Sequence, residues 1–150
     1  MMYIICRLNI WLLLYGGYPS YTHAPALDKM ESEILQYVNE DRVKHGLPVL
    51  EMNALESSLA AEHSRNMAAG KVRFGHDGFN SRAKTIQKAL GSTMIGENVA
   101  SGPMTAREVV DGWLHSAGHK KNIEGNFVLT GIGYSMNKKG NIYFTQIFSR

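Results

Sequence analysis

Three short segments in the second half of the chain carry side chains that often bind metals or transfer protons. They are Gly75-His76-Asp77, Gly96-Glu97-Asn98 and Gly118-His119. Each stands among glycines or small polar residues, which predicts loops. His76, Glu97 and His119 lie roughly twenty residues apart, so they form one site only if the fold brings the three segments together.

Two neutral imidazoles and one carboxylate suit Zn²⁺, which takes nitrogen and oxygen ligands at about 2.0–2.2 Å and leaves a fourth position for water in open sites. Such a cation could orient a ligand in a cleft without breaking a bond. It could instead acidify a water molecule for hydrolysis. In the hydrolytic alternative Glu97 and His119 are the catalytic candidates, although a Glu97 that ligates the metal is a poor base.

Two further interpretations use these residues without a metal. Ser116, His119 and Glu97 could form a nucleophilic arrangement, but Ser116 stands where a helix N-cap or a turn serine is expected and lacks a nucleophile-elbow sequence. Alternatively, His76, Glu97 and His119 hydrogen-bond one another and hold three loops onto the fold.

Neighbouring residues are expected to support the site, and other histidines to be structural. Asn98 should hold loop backbone with its amide, and Gly96 should let the chain turn. Asp77 should cap the turn that follows it. His63 lies on the apolar stripe of a predicted helix, where a buried histidine hydrogen-bonded to an acceptor is the simpler explanation. His45 lies at a helix C-terminus, where it interacts favourably with the helix dipole.

The size and composition of the chain favour one globular domain. Its 150 residues are 44% hydrophobic and 19% charged, which is enough for one core and too little for a second. The 16 Lys and Arg residues exceed the 13 Asp and Glu residues, giving a net charge of +3. This small, dispersed excess does not predict a nucleic acid partner.

The N-terminal segment has the order of a secretory signal. Arg7 is followed by the apolar run 10–15 and then by glycines and a proline, so residues 1–27 are assigned to a signal peptide and linker and residues 28–150 to the domain. The run is well short of the roughly 20 residues that cross a bilayer, so no stable membrane span is expected.

Cysteine usage agrees with export from a bacterial cell. Cys6 is the only cysteine and lies in the predicted leader, so no disulfide is expected in the mature domain. Small secreted animal domains usually carry disulfides. We therefore expect a secreted bacterial protein.

Capping residues and apolar spacing predict four helices followed by two strands. The N-caps are Asp28, Asn53 and Thr105, and the last two precede a glutamate by three residues, as in a capping box. Both faces of the second strand are apolar, so helices should cover both sides of the sheet. The predicted elements are helices near 28–46, 53–70, 81–90 and 105–115 and strands at 129–136 and 141–148.

Several sequence words stand in a specific order between residues 29 and 150. They are Val38-Asn39-Glu40-Asp41-Arg42, Gly96-Glu97-Asn98-Val99-Ala100, Val109-Val110-Asp111-Gly112-Trp113, Ser116-Ala117-Gly118-His119-Lys120-Lys121-Asn122-Ile123, Gly131-Ile132-Gly133-Tyr134 and Tyr143-Phe144-Thr145-Gln146-Ile147-Phe148. In this order they resemble a bacterial, SCP-like extracellular member of the CAP superfamily. The superfamily gathers the cysteine-rich secretory proteins, antigen 5 and the pathogenesis-related class 1 proteins.

The resemblance implies a three-layer α-β-α sandwich with a small, mainly antiparallel sheet. It also implies secretion and a central cleft in which two histidines and acidic residues can hold a divalent cation such as zinc. The cleft histidines correspond to His76 and His119, and one acidic residue corresponds to Glu97. The second acidic position is Ser116 in this chain, so the full set of four is not present.

We therefore predict a secreted, monomeric CAP-domain protein whose cleft binds a divalent cation, for which Zn²⁺ is the candidate, and a small-molecule, lipid or peptide ligand, without established catalysis. The alternatives are a metal-dependent hydrolase of peptides or cell-surface polymers and a purely structural interaction module. The predicted metal ligands are His76, Glu97 and His119, with Ser116, Asn98 and Asp77 as supporting residues of the cleft.

Overall fold

The computed structural model describes residues 28–150, which form five helices and four strands. The predicted signal peptide, its linker and Cys6 lie outside these residues. No helix in the described range has the length and apolarity needed to cross a membrane. The helices are α1 (Lys29–Lys44), α2 (Ala54–Ala68), α3 (Phe79–Leu90), α4 (Ala106–Leu114) and α5 (Ala117–Ile123), and the strands are β1 (Glu51–Met52), β2 (Ile95–Gly102), β3 (Leu129–Met136) and β4 (Ile142–Ser149).

Polar side chains begin three helices at the predicted positions. Asp28 and Asn53 each accept hydrogen bonds from backbone N–H groups in the first turn of α1 and α2. Thr105 and Glu108 form the complete reciprocal capping box of α4. Gly91 ends α3 with a φ of 71°, a left-handed conformation that favours glycine.

The capping box predicted at Asn53 is incomplete, because the side chain of Glu56 does not accept a hydrogen bond from the backbone N–H of Asn53. Glu56 is fully buried instead, and neither of its carboxylate oxygens has a partner in hydrogen-bond geometry among the described residues. Burial raises the pKa of Glu56 to about 7, although the nearby Ser149 hydroxyl lowers it in part. Because α2 packs on the sheet, the Glu56 side chain is buried beneath the helix and does not cap its N-terminus.

The strands form one sheet in the order β1-β3-β4-β2. β2 and β3 both pair antiparallel with β4, whereas β1 pairs parallel with β3. This confirms the predicted, mainly antiparallel sheet. Glu97 of β2 lies opposite Ile147, and Asn98 opposite Gln146. Because successive strand residues point to opposite faces, Glu97 and Asn98 serve different sides of the sheet.

Helices cover both faces of the sheet, which confirms the α-β-α sandwich. α1 and α4 contribute to the larger apolar core, in which Trp113 is 1% exposed, and α2 and α3 contribute to a smaller one around Ile147. On the α2 side a Cβ added to Gly131 or Gly133 would lie 2.1 or 2.2 Å from backbone atoms of that helix. The two glycines of β3 therefore allow α2 to lie directly on the sheet.

Two of the three loop predictions are wrong. His76 does lie in the connection between α2 and α3, but Glu97 and Asn98 lie within β2, and His119 lies in α5. The glycine and polar residues around Glu97 suggest a loop when they are considered alone. Pairing with β4 gives the same residues a complete set of strand partners, and this tertiary pairing outweighs local composition.

Candidate functional site

Glu97 lies at the centre of the candidate site. Its side chain is 1% exposed and lies on the face of β2 shared with Ile147, where α2 and α3 pack. Arg82 of α3 donates from Nε to Oε2 and from Nη2 to Oε1, both at 2.8 Å. This two-point geometry fits a guanidinium to a carboxylate, so the buried charge of Glu97 is compensated by Arg82.

His76 reaches the same carboxylate from the loop before α3. Its Nδ1 lies 2.9 Å from Oε1 of Glu97. Because an ionised carboxylate only accepts hydrogen bonds, Nδ1 carries a proton, and in the neutral form of the ring Nε2 keeps its lone pair. The His76 side chain is 50% exposed, so the ring is held from inside the protein and is accessible to a ligand from outside.

The turn before α3 fixes the position of Arg82. Gly78 has a φ of 78° at the start of the helix, and Nη1 of Arg82 donates to the carbonyl of Asp77 at 2.9 Å. The carboxylate of Asp77 does not cap this turn as predicted. It accepts two hydrogen bonds from exposed Arg73, at 3.1 and 3.2 Å, because a guanidinium four residues earlier offers a charged, two-point partner.

Asn98 holds α5 against the opposite face of β2. Its amide donates to the carbonyl of His119 at 3.1 Å and accepts from Asn122 at 2.8 Å. The prediction that Asn98 binds backbone is confirmed, although the backbone belongs to a helix. Gly96 does not serve as a turn residue: it gives room to a neighbour, since a Cβ there would lie 3.0 Å from Oδ1 of Asn122.

His119 offers a second neutral imidazole close to His76. Burial lowers the pKa of His119, and the charge of His76 lowers it further. The ring is therefore neutral at pH 7 and keeps a lone pair. Ser116 is the N-cap of α5, as predicted, but its hydroxyl makes no capping bond. No hydrogen bond joins Ser116 to His119 in the described part of the chain, so the geometry does not favour a nucleophilic pair.

The residues predicted as metal ligands fit a cation only in part. The two imidazoles are suitable nitrogen donors, but both oxygens of Glu97 are already held by Arg82. Glu97 could ligate a cation only by giving up part of this pairing beside a fixed positive charge. Within residues 28–150 the only group of at least three His, Cys, Asp or Glu side chains with ligand atoms within 4.8 Å of one another is Asp41, His45 and Glu124.

Arg82 is the functional residue that the sequence interpretation missed. It lies four residues before Ile86, the buried residue of α3, so both side chains are on the same side of the helix. A charged residue on the inward stripe of a helix needs a buried partner. That spacing was the available signal, and Glu97 is the partner.

A cavity of about 250 Å³ lies beside Arg82, between α2 and α3. His63 lines it from α2, and its Nε2 lies 2.8 Å from the carbonyl of Gly75. Because a carbonyl only accepts hydrogen bonds, Nε2 carries the proton, and burial lowers the pKa of His63, which favours the neutral ring. The structural role predicted for His63 is confirmed, since this bond ties the loop of His76 to α2. Glu62, Asn66 and Ser81 add further polar groups to the wall.

Comparison with known proteins shows the family and the fold of this chain. The sequence profile of the cysteine-rich secretory protein (CAP) family matches residues 35–148. The chain belongs to this family. The uncharacterized protein YkwD of Bacillus subtilis (strain 168) is 32% identical to this CAP chain over 134 residues, which are 86% of this chain and 51% of YkwD. The chain thus spans about half the length of that relative.

Two solved structures show the same CAP fold. An extracellular protein containing an SCP domain from Bacillus anthracis str. Ames matches with a TM-score of 0.65 and 29% identity, over 80% of this chain and 40% of that one. An outer surface protein from Borrelia burgdorferi matches with a TM-score of 0.68, over 83% of this chain and 96% of that one. At 23% identity the second likeness shows the fold alone.

Proposed function

We propose that this CAP domain is an extracellular binding domain whose ligand contacts the imidazoles of His76 and His119. The hydrogen bond from His76 to the buried Glu97–Arg82 pair carries the proposal. It orients the His76 ring and leaves Nε2 as an acceptor. A small-molecule, lipid or peptide ligand with a hydroxyl or amide donor suits this nitrogen.

A divalent cation such as Zn²⁺ is a second occupant that the two imidazoles suit. Both rings supply neutral nitrogen, and Glu97 acts as the hydrogen-bond partner that orients His76. A bound cation would anchor a carbonyl or carboxylate oxygen of the ligand. With Ser116 in place of a second acid, we expect weak to moderate affinity.

Binding is favoured over hydrolysis by the state of Glu97. A general base needs an accessible oxygen within reach of the attacking water. Both oxygens of Glu97 are buried and accept hydrogen bonds from Arg82. This carboxylate is therefore better placed to orient His76 than to move a proton.

Extracellular location is part of the proposal for two reasons. A relative of the same fold, 29% identical, is described as an extracellular protein. The basic, apolar and small residues at the start of the chain also have the order of an export signal. Detection of the protein outside the cell, with a mature N-terminus beyond the apolar run, would support this part.

Histidine nitrogen NMR tests the site directly. We expect His76 to be the tautomer with the proton on Nδ1, and Zn²⁺ to shift Nε2 of His76 and a ring nitrogen of His119. His119→Ala should weaken this zinc response, and the response should fade below about pH 6 as the imidazoles take up protons.

The control is His115→Ala. His115 is exposed at the end of α4, and its Nδ1 donates to the carbonyl of Asp111 at 2.7 Å. Its removal should leave the zinc response of His76 unchanged. A His76 ring that carries its proton on Nε2, or that zinc does not perturb, would contradict the proposal.

A further inference from the structure

A second histidine cluster lies away from the proposed ligand site, where the C-terminal ends of α1 and α5 meet. His45 is the C-cap of α1, and Glu124 is the C-cap of α5. Nε2 of His45 lies 3.4 Å from Oε1 of Glu124, and Nδ1 lies 3.5 Å from Oδ2 of Asp41. We call Asp41, His45 and Glu124 the His45 cluster.

The tautomer of His45 is set by its own helix. Nδ1 lies 2.9 Å from the backbone carbonyl of Asp41, which can only accept, so Nδ1 carries the proton. In the neutral ring Nε2 therefore presents a lone pair toward Oε1 of Glu124. Two acceptors that face each other repel unless a proton or a cation lies between them.

The carboxylates of the cluster point to a cation rather than a proton. Oδ2 of Asp41 and Oε1 of Glu124 are both shielded from solvent, and neither accepts a hydrogen bond from the described residues. A proton on Nε2 would serve Glu124 alone. At 3.5 Å, the Nδ1 proton of His45 is too far from Oδ2 of Asp41 for a good hydrogen bond. A divalent ion would satisfy both oxygens at once.

His115 shows that the local helix geometry is not the cause. It is also a C-cap histidine four residues after an aspartate, and its Nδ1 also meets the carbonyl of that residue, Asp111. Among the described residues, however, it forms no ion pair with a carboxylate from another element, whereas Glu124 faces His45 from α5. The cluster therefore depends on how the fold brings the C-terminal ends of α1 and α5 together.

We propose that the His45 cluster is a divalent metal site that takes Zn²⁺ through one ligand atom each from Asp41, His45 and Glu124. The three ligand atoms lie within 4.8 Å of one another. Two ligand atoms at about 2.1 Å from a tetrahedral ion are about 3.4 Å apart, and the His45–Glu124 separation is 3.4 Å. Three protein ligands leave one position for water or an external ligand.

Two neighbouring basic residues affect the site in opposite ways: Arg42 holds its two helices together, and Lys120 competes with a cation for Glu124. Arg42 is fully buried and donates to the carbonyls of Ile123 and Gly125 at 2.6 and 2.9 Å, which holds the ends of α1 and α5 together. Lys120 lies 3.6 Å from Oε1 of Glu124 and is 44% exposed, so it can move away when a cation binds. The negative ends of two helices favour a cation in the same place.

Zinc titration calorimetry on the full chain tests this second site. The starting protein is His76→Ala/His119→Ala, which removes the imidazoles of the proposed ligand site. We expect it to keep one zinc site. Adding His45→Ala, or Glu124→Gln, which keeps the size of the side chain, should abolish that site. Adding His115→Ala should not, and Lys120→Gln should tighten binding because it removes a competing positive charge.

The two proposals fail separately in this design. No zinc binding by the double variant, or the same binding after both His45→Ala and Glu124→Gln, would overturn the His45 site and leave the first proposal standing. Wild type and double variant with equal zinc stoichiometry would remove the cation from the first proposal alone. Unfolding midpoints in the absence of zinc show whether each variant is folded. The absorption spectrum of bound Co²⁺ should report a tetrahedral nitrogen and oxygen site that His45→Ala removes.

Discussion

We call His76, Glu97 and Arg82 the His76 cluster. The His76 cluster and the His45 cluster differ in how the negative charge of the carboxylate beside the histidine is compensated. In both, a histidine donates from Nδ1 to an oxygen, and Nε2 keeps a lone pair. In the His76 cluster a buried guanidinium pairs with the carboxylate at two points of 2.8 Å. In the His45 cluster two shielded carboxylate oxygens have no hydrogen-bond donor among the described residues.

The difference teaches that residue types alone do not define a metal site. A buried carboxylate paired at two points with a guanidinium has little charge left to attract a cation. A carboxylate whose partner is an exposed lysine, such as Glu124 with Lys120 at 3.6 Å, can still lower its free energy by binding one. Glu97, which corresponds to the acid of the family's cleft, is thus arranged to orient the imidazole of His76. The residues of the His45 cluster are instead arranged to accept a cation.

The largest effect should come from removing the compensating charge of the His76 cluster. Arg82→Met leaves the carboxylate of Glu97, 1% exposed, without its ion partner. Breaking a buried pair in this way should lower the free energy of unfolding by about 3–5 kcal/mol. Urea unfolding at pH 7 measures the loss.

A double variant separates compensation from packing. Arg82→Met/Glu97→Leu removes both charges and should recover much of the lost stability, since no uncompensated buried ion remains. If the double variant is as unstable as Arg82→Met, packing by the Arg82 side chain, and not its charge, holds α3 to β2. The contrast drawn between the two clusters would then be wrong.

Glu56 extends the comparison to a carboxylate that is paired neither with a guanidinium nor with a proposed cation. It is fully buried, and burial raises its pKa to about 7 from 4.5. A raised pKa in the folded state means that its stabilisation is complete below about pH 4.5 and is lost as pH rises through 7. The loss should reach about 3 kcal/mol.

Glu56→Gln is the matched variant for this pH dependence. The free energy of unfolding of the native sequence, relative to that of Glu56→Gln, should fall between pH 5 and pH 8. The difference cancels the opposite contribution of His63 and His119, whose pKa values are lowered in the fold. A flat difference across this range would mean that Glu56 is not protonated in the native protein.

Asn98 tests whether His119 and the His45 cluster share one support. It holds α5, which carries His119 near its start and Glu124 at its end. Asn98→Ala leaves the carbonyl of His119 and the amide of Asn122 without this partner, at a cost of about 1–3 kcal/mol. We expect both zinc responses to weaken together. A change confined to His119 would show that α5 is held independently at its C-terminal end.

The smallest effect is expected at the exposed ion pair beside the His76 cluster. Arg73 and Asp77 pair at 3.1 Å, with the Arg73 side chain 88% exposed. Arg73→Met should leave the free energy of unfolding nearly unchanged, because solvent screens this pair, and any remaining effect should disappear in high salt. A cost near that of Arg82→Met would contradict the view that burial makes the difference between these two guanidinium pairs.

Much of the secondary structure was accessible from the sequence. Asp28 and Thr105 begin helices because their side chains bind the N–H groups of the first turn, an interaction contained within a few residues. The apolar alternation of residues 142–148 predicts a strand covered on both sides, and the structure confirms it. The order of the motifs gave the family and hence the sandwich.

The site depended on contacts that no local pattern encodes. Glu97 and Asn98 point to opposite faces because β2 pairs with β4, although their composition favours a loop. Arg82 pairs with a residue fifteen positions away, and His45 faces Glu124, which follows much later in the chain at the end of α5. Sequence by itself determined the capped helices and the two C-terminal strands, because helix caps and apolar periodicity act over neighbouring residues. Tertiary structure alone decided how each carboxylate is compensated, because charge pairing depends on distances set by the packing of separate elements.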